Sequence, residues 1–216
     1  MTTPAPTPDA PADTRTRLLD AAEHLFARDG FAGTSTRAIL QAADQRNESA
    51  LQYHFGGRNG LVAAIHARRI EQIEALRRPR LEALLAEPGP LAVRDLARVQ
   101  FGAMAELAGA DPGFVDYLRA LGELATLPRA AFAEFIARLD IAPEGTTARR
   151  RVAHAFGHLP PATRRRRLEL ARRFAFTSLS HWAREEGAFT GRSARAFVDD
   201  LAQMVDAMIT APTSEG

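Results

Sequence analysis

From Thr14 onward the apolar residues of this chain return every three or four positions, and no segment alternates with the period of two that a strand needs. That pattern excludes sheet architectures and leaves an all-α fold. Breakers interrupt it at Asp29-Gly30, Gly56-Gly57, Glu87 to Pro90, Gly109 to Pro112, Leu127-Pro128, Pro143, Pro160-Pro161 and Glu186-Gly187. The pieces between them have the length of globular helices. Leu18, Ala22, Leu25 and Phe26 share one face of the first, and Phe132, Phe135, Ile136 and Leu139 one face of a later one. Phe197, Val198, Leu201, Val205 and Met208 form a broad stripe near the end. No longer repeat stands out, which argues against a helical solenoid.

The pieces also change character along the chain. Residues 1–12, rich in Pro, Thr and Ala, read as a disordered tail with neither the basic nor the apolar region of a signal peptide. Residues 13–57 hold three short helices with tight turns. A long connecting helix is expected over 58–78, and residues 79–212 carry longer helices with more apolar bulk.

Composition narrows the function. With 216 residues the chain is long enough to bury a sizeable core. All 28 of its basic residues are arginine, and they face 26 acids for a net charge of +2. Such a balance does not suit a polycation that coats nucleic acid indiscriminately. Cysteine is absent, which removes disulfides, thiolate metal sites and thiol nucleophiles. No apolar run is long enough to span a membrane, so the expected location is the cytoplasm and no membrane partner is expected.

The densest chemistry lies between residues 34 and 55. Thr34 or Ser35 can cap a helix that buries Ile39, Leu40 and Ala43. That helix stops at Asp44 to Asn47, and Asn47 can cap a second short helix burying Leu51 and Phe55. Two short helices across a tight turn are the plan of the helix-turn-helix, whose second helix enters the major groove. Around that second helix lie Gln45, Arg46, Asn47, Ser49, Ala50, Gln52, Tyr53 and His54. Arg suits guanine edges, Asn and Gln suit adenine, and an alanine methyl suits thymine. Residues 13–60 contain six Arg and six acids, so affinity must come from placed contacts, with Arg37 and Arg58 meeting phosphates.

The run from Thr16 to Ile65 resembles the TetR family of bacterial transcriptional regulators. The resemblance is carried by Ala21-Ala22-x-x-Leu25-Phe26 followed by Gly30-Phe31, by Thr34-Ser35-x-Arg37-x-Ile39, and by Tyr53-His54-Phe55-x-x-Arg58. Where the family usually has Ala-Gly-Val at the turn, this chain has Ala43-Asp44-Gln45, and the stretch to Tyr53 is one residue longer. Aspartate tolerates the left-handed conformation such a turn needs. Ala50 stands where the family often has Thr, Gln52 where it often has Tyr, and Arg58 where it has lysine. The resemblance implies that Thr34, Ser35, Thr36, Arg37, Tyr53, His54 and Arg58 contact the DNA backbone.

It further implies a double-stranded DNA operator, a small-molecule effector and a homodimer, with no cofactor, no metal and no enzymatic activity. Phe101, Met104, Tyr117, Leu121, Phe135, His154 and His158 are then candidates for the effector cavity. Leu168, Ala171, Ala175, Leu179 and Trp182, with Leu201, Met204, Val205 and Met208, are candidates for the dimer interface. The four arginines from Arg164 to Arg167 read as a solvated face, or as partners for Glu185, Glu186, Asp199 or Asp200 across that dimer. The expected function is a ligand-responsive repressor. Two rivals stand beside it: an all-α enzyme with a buried site, for which no acid–base set or metal motif converges, and a helical protein–protein adaptor whose N-terminal unit does not bind DNA.

Overall fold

The computed structural model describes residues 11–47, 49–126, 154–157 and 159–212, and all of its regular elements are helices. Phe135 and His158 lie outside these residues, as do Phe132, Ile136, Leu139 and Pro143. The chain divides into two compact units, Met1–Arg68 and Arg69–Gly216.

In the first unit, α1 (Pro11–Gly33) is bent at Gly30, whose φ of 75° is open to glycine at little cost. The helix begins at Pro11, two residues inside the expected tail. Ser35 opens α2 (Thr36–Ala42): its backbone is extended and its Oγ accepts from the Ala38 N–H at 3.1 Å. Thr34 does not cap. It is buried, and its hydroxyl donates to the Leu25 and Gly30 carbonyls instead.

The turn after α2 shows how aspartate replaces the usual glycine. Asp44 takes a left-handed φ of 53°. Its N–H donates to the Gln41 carbonyl and the Gln45 N–H to the Leu40 carbonyl, the paired bonds of a Schellman motif. The Asn47 side chain then accepts from the Ser49 N–H at 2.9 Å and its carbonyl accepts from Ala50, starting α3 (Ala50–Phe55). Left-handed backbone strains any residue with a Cβ. Asp44→Gly should therefore raise the thermal midpoint by an amount corresponding to about 0.5–1 kcal/mol, as calorimetry would read.

Leu18, Leu19, Ala22 and Phe26 of α1 bury against Ile39 and Leu40 of α2, with Leu51, Leu61 and Ile65 completing this core. Each of the Leu, Ile and Phe side chains here stabilises the unit by about 1.5–3 kcal/mol. α4 (Arg58–Ala86) runs past the expected end at Arg78 because Pro79 sits inside it. Proline keeps a helical φ, but it gives up its own ladder bond to the Ala75 carbonyl and its ring crowds that carbonyl.

The second unit contains α5 (Val93–Ala110), α6 (Pro112–Leu124), α7 (Pro161–Trp182) and α8 (Gly191–Thr210). α5 packs on α6 and α8, and α7 packs on α6 and α8. The α6–α7 approach is close: a Cβ on Gly122 would fall 2.5 Å from Ser180 Oγ, which donates to the Arg119 carbonyl at 2.7 Å. Arginines close several helix ends. Arg119 donates to the Ala183 carbonyl after α7, Arg173 to Ala125 after α6, and Arg167 to the Ile209, Ala211 and Pro212 carbonyls at the end of α8. A guanidinium fork suits this, since the last carbonyls of a helix lack partners and carry its negative dipole end. The expected pairing of the 164–167 run with acids of a second copy is thereby corrected in part. Arg167 is engaged within its own chain, and Asp199 is held by Arg98 at 2.8 Å.

Candidate functional site

The helix-turn-helix leaves most of its expected polar residues exposed to solvent. Ser35, Thr36 and Arg37 are exposed at the start of α2; Arg46, Asn47 and Ser49 are exposed in the turn; Gln52 and Tyr53 are exposed on α3. Tyr53 stands out, with 80% of its surface free and the His54 ring set edge-on at 4.9 Å. Gln45 and His54 are half-buried.

Three expected contacts point elsewhere. Ala50 is buried, because α3 turns it inward beside Leu51, so it offers no methyl to a thymine. Thr34 is turned into the core by the two hydrogen bonds described above. Arg58 is the most informative. Its Nη1 donates to the Thr34 carbonyl at 2.5 Å, its Nη2 to the Phe31 carbonyl, and its guanidinium lies 5.3 Å from the Phe26 ring centroid. The fork thus ties the chain after the α1 bend to the start of α4 and is not presented to a phosphate.

A second fork in this unit was not expected. Arg68 reaches Asp20 at 2.6 Å through Nη1 and the buried Glu23 through Nη2. The Asp20-x-x-Glu23 spacing, which puts both acids on one face of α1, was the available signal.

These geometries can be set against known proteins. Residues 18–65 match the family model described as bacterial regulatory proteins, tetR family. That match spans the helix-turn-helix and the first part of α4. No curated protein matches it in sequence. Among solved structures, a TetR family transcription regulator from Marinobacter aquaeolei VT8 is similar at a TM-score of 0.56 and 16% identity, covering 92% of this chain and 96% of that one. A tetR-family regulatory protein from Rhodococcus RHA1 gives 0.53 and 18%, covering 93% and 98%. Salmonella enterica GusR gives 0.52 and 18%, covering 94% and 99%. At these identities the structures establish a shared TetR fold along nearly the whole chain, whereas the family model rests on the helix-turn-helix itself.

In the second unit, Phe101, Met104, Tyr117 and Leu121 are buried in the core, with the Tyr117 and Phe114 rings 5.5 Å apart. His154 is exposed. Arg69 is buried and pairs with Asp111 at 2.5 Å, beneath the Phe114 ring. Burial works to raise the Asp111 carboxyl, but Arg69 and the N–H groups of Gly113 and Phe114 outweigh it and hold the group below its ordinary range.

Most of the expected dimer residues face their own chain. Ala171, Ala175, Leu179 and Leu201 are buried, and Leu168, Val205 and Met208 pack against a cluster of Val93, Leu159, Ala171 and Ile209. Trp182 stacks on Phe197 at 4.6 Å and donates its indole N–H to the Ala188 carbonyl. Of the nine, Met204 is the one left largely free, 51% exposed. The outward apolar residues of α7 are instead Leu170, 52% exposed, and Phe174, 39% exposed. Phe174 borders an open groove of about 600 Å³ whose walls include Thr177, His181, Trp182 and Phe197. Among the described residues no helix is long and apolar enough to cross a membrane.

Proposed function

We propose that this chain is a TetR-type regulator, a cytoplasmic homodimeric repressor that binds a palindromic operator and is released by a small molecule. The exposed ring of Arg37, Arg46, Gln52 and Tyr53 around a well-closed helix-turn-helix carries this proposal. Arg37 and Tyr53, with Ser35 and the α2 N-terminus, serve phosphates. Arg46 and Gln52 are the side chains with the right donors for base edges. The effector favours a conformer whose two recognition helices are wrongly spaced for the operator, and α4 is the covalent path by which each unit feels the other.

A mobility-shift titration on the DNA upstream of the protein's own gene tests this. Arg37→Ala should weaken binding to all sequences alike and lower the salt slope by about one. Arg46→Ala should instead relax base preference at one position. Arg58→Ala should lower the melting temperature while leaving the salt slope unchanged, since its fork is turned inward. Absence of any shift at low salt would overturn the proposal.

A further inference from the structure

One face of α7 is turned to solvent, and its spacing reads the same from either end. Arg166, Leu170, Phe174, Thr177, His181 and Glu185 are all exposed, and steps of four, four, three, four and four place them along one side of the helix. The opposite side, with Ala171, Ala175 and Leu179, is buried in the unit's own core. The chain keeps turning past the end of α7, where the Glu185 N–H donates to the Trp182 carbonyl at 3.0 Å, so Glu185 continues the row. Leu170 and Phe174 give the row an apolar middle, and beside it opens the groove walled by Thr177, His181, Trp182 and Phe197. At its ends Arg166 and Glu185 carry opposite charges, and neither side chain has a hydrogen bond or ion pair among the described residues.

Exposed large apolar side chains rimmed by unpaired charges suit an interface. A symmetric pair of copies brings residue i of one onto residue j of the other, and j onto i. Because the spacing is the same from both ends, two copies of this row laid antiparallel meet at every position. Phe174 then faces Thr177 of the partner subunit, Leu170 faces His181 of the partner subunit, and Arg166 faces Glu185 of the partner subunit. Laid parallel, the rows would set Arg166 against Arg166 and Glu185 against Glu185, which like-charge repulsion opposes. We infer that a second copy of this chain docks on this face of α7 in the antiparallel register, with Arg166 and Glu185 paired across the interface at both ends. This docking deepens the proposed homodimer and rests on it, and its register can fail while the homodimer stands.

Charge exchange in the full chain tests it. Sedimentation equilibrium at low salt reads the dimer constant of wild type, Arg166→Glu, Glu185→Arg and the two together. Each single reversal puts two like-charged contacts into the dimer and should weaken it at least about fivefold, and the combined variant should return to within about twofold of wild type. The losses should shrink at high salt. Helix content should be the same in all four, since both side chains are exposed and unengaged within their own chain. The chain has no cysteine, so an introduced one reports a single position. In the antiparallel register the two copies of Arg166 lie about 28 Å apart, at a helical rise of about 1.5 Å per residue. A short bismaleimide should therefore join subunits that carry both Arg166→Cys and Glu185→Cys, and should join neither single variant. A dimer that the single reversals leave unchanged, a combined variant as weak as the product of the two singles, or cross-linking through Arg166→Cys alone would each overturn the register and leave the homodimer standing. A wild-type chain that sediments as a monomer throughout would overturn both.

Discussion

Arg68→Ala should lower the stability of the first unit by about 3 kcal/mol, a loss typical of removing one partner from a buried ion pair. Glu23 is only 3% exposed, and Arg68 joins it to the more exposed Asp20 of α1. Without the guanidinium, the buried Glu23 carboxylate loses this ion pair. Urea titrations of variant and wild type at pH 7 would show the deficit. Replacing both partners by apolar residues, Arg68→Met with Glu23→Leu, should recover most of the loss. A deficit below about 1 kcal/mol would mean that the pair behaves like an exposed one.

The sequence and the structure agree where the information is local. Helical periodicity located α1, α2, α3, α7 and α8 within a few residues, and the polar residues after Ala43 marked the turn and its caps before any coordinates. Asp44 was legible because one residue's tolerance for left-handed backbone decides that turn. Arg58 was not. Its position in the chain identifies the loop before α4 but not the direction of a long side chain, and here two carbonyls and the Phe26 face draw it inward. Thr34 and Ala50 were misplaced for the same reason, since a helix start presents polar and small residues both to solvent and to the core.

Composition also takes on a different meaning. All 28 of the Lys and Arg cations in the chain are arginine. In the structure the forks of Arg58, Arg119, Arg167 and Arg173 each reach backbone carbonyls that a lysine's single ammonium would satisfy less well. Much of the positive charge is therefore structural, which is consistent with a helix-turn-helix whose own charge balances to zero.

The dimer face is where the expected residues and the exposed ones differ most, and it yields the second large effect. α7 carries two apolar stripes. Ala171, Ala175 and Leu179 are buried at home, whereas Leu170 and Phe174 are exposed. A period of 3.6 cannot say which stripe a helix gives to its own bundle and which to a partner, and the richer stripe was taken for the interface. If the proposed homodimer uses the outward stripe, Leu170→Glu with Phe174→Glu should weaken association at least about 100-fold, since central aromatic anchors each contribute about 2 kcal/mol or more. Sedimentation velocity should then show a folded monomer with unchanged helix content. Operator affinity should fall with it, because a palindrome is held tightly only when both half-sites are engaged together. Leu179→Glu should behave differently, unfolding the second unit by forcing a charge into its core. A dimer that survives the double substitution would exclude this stripe as the interface.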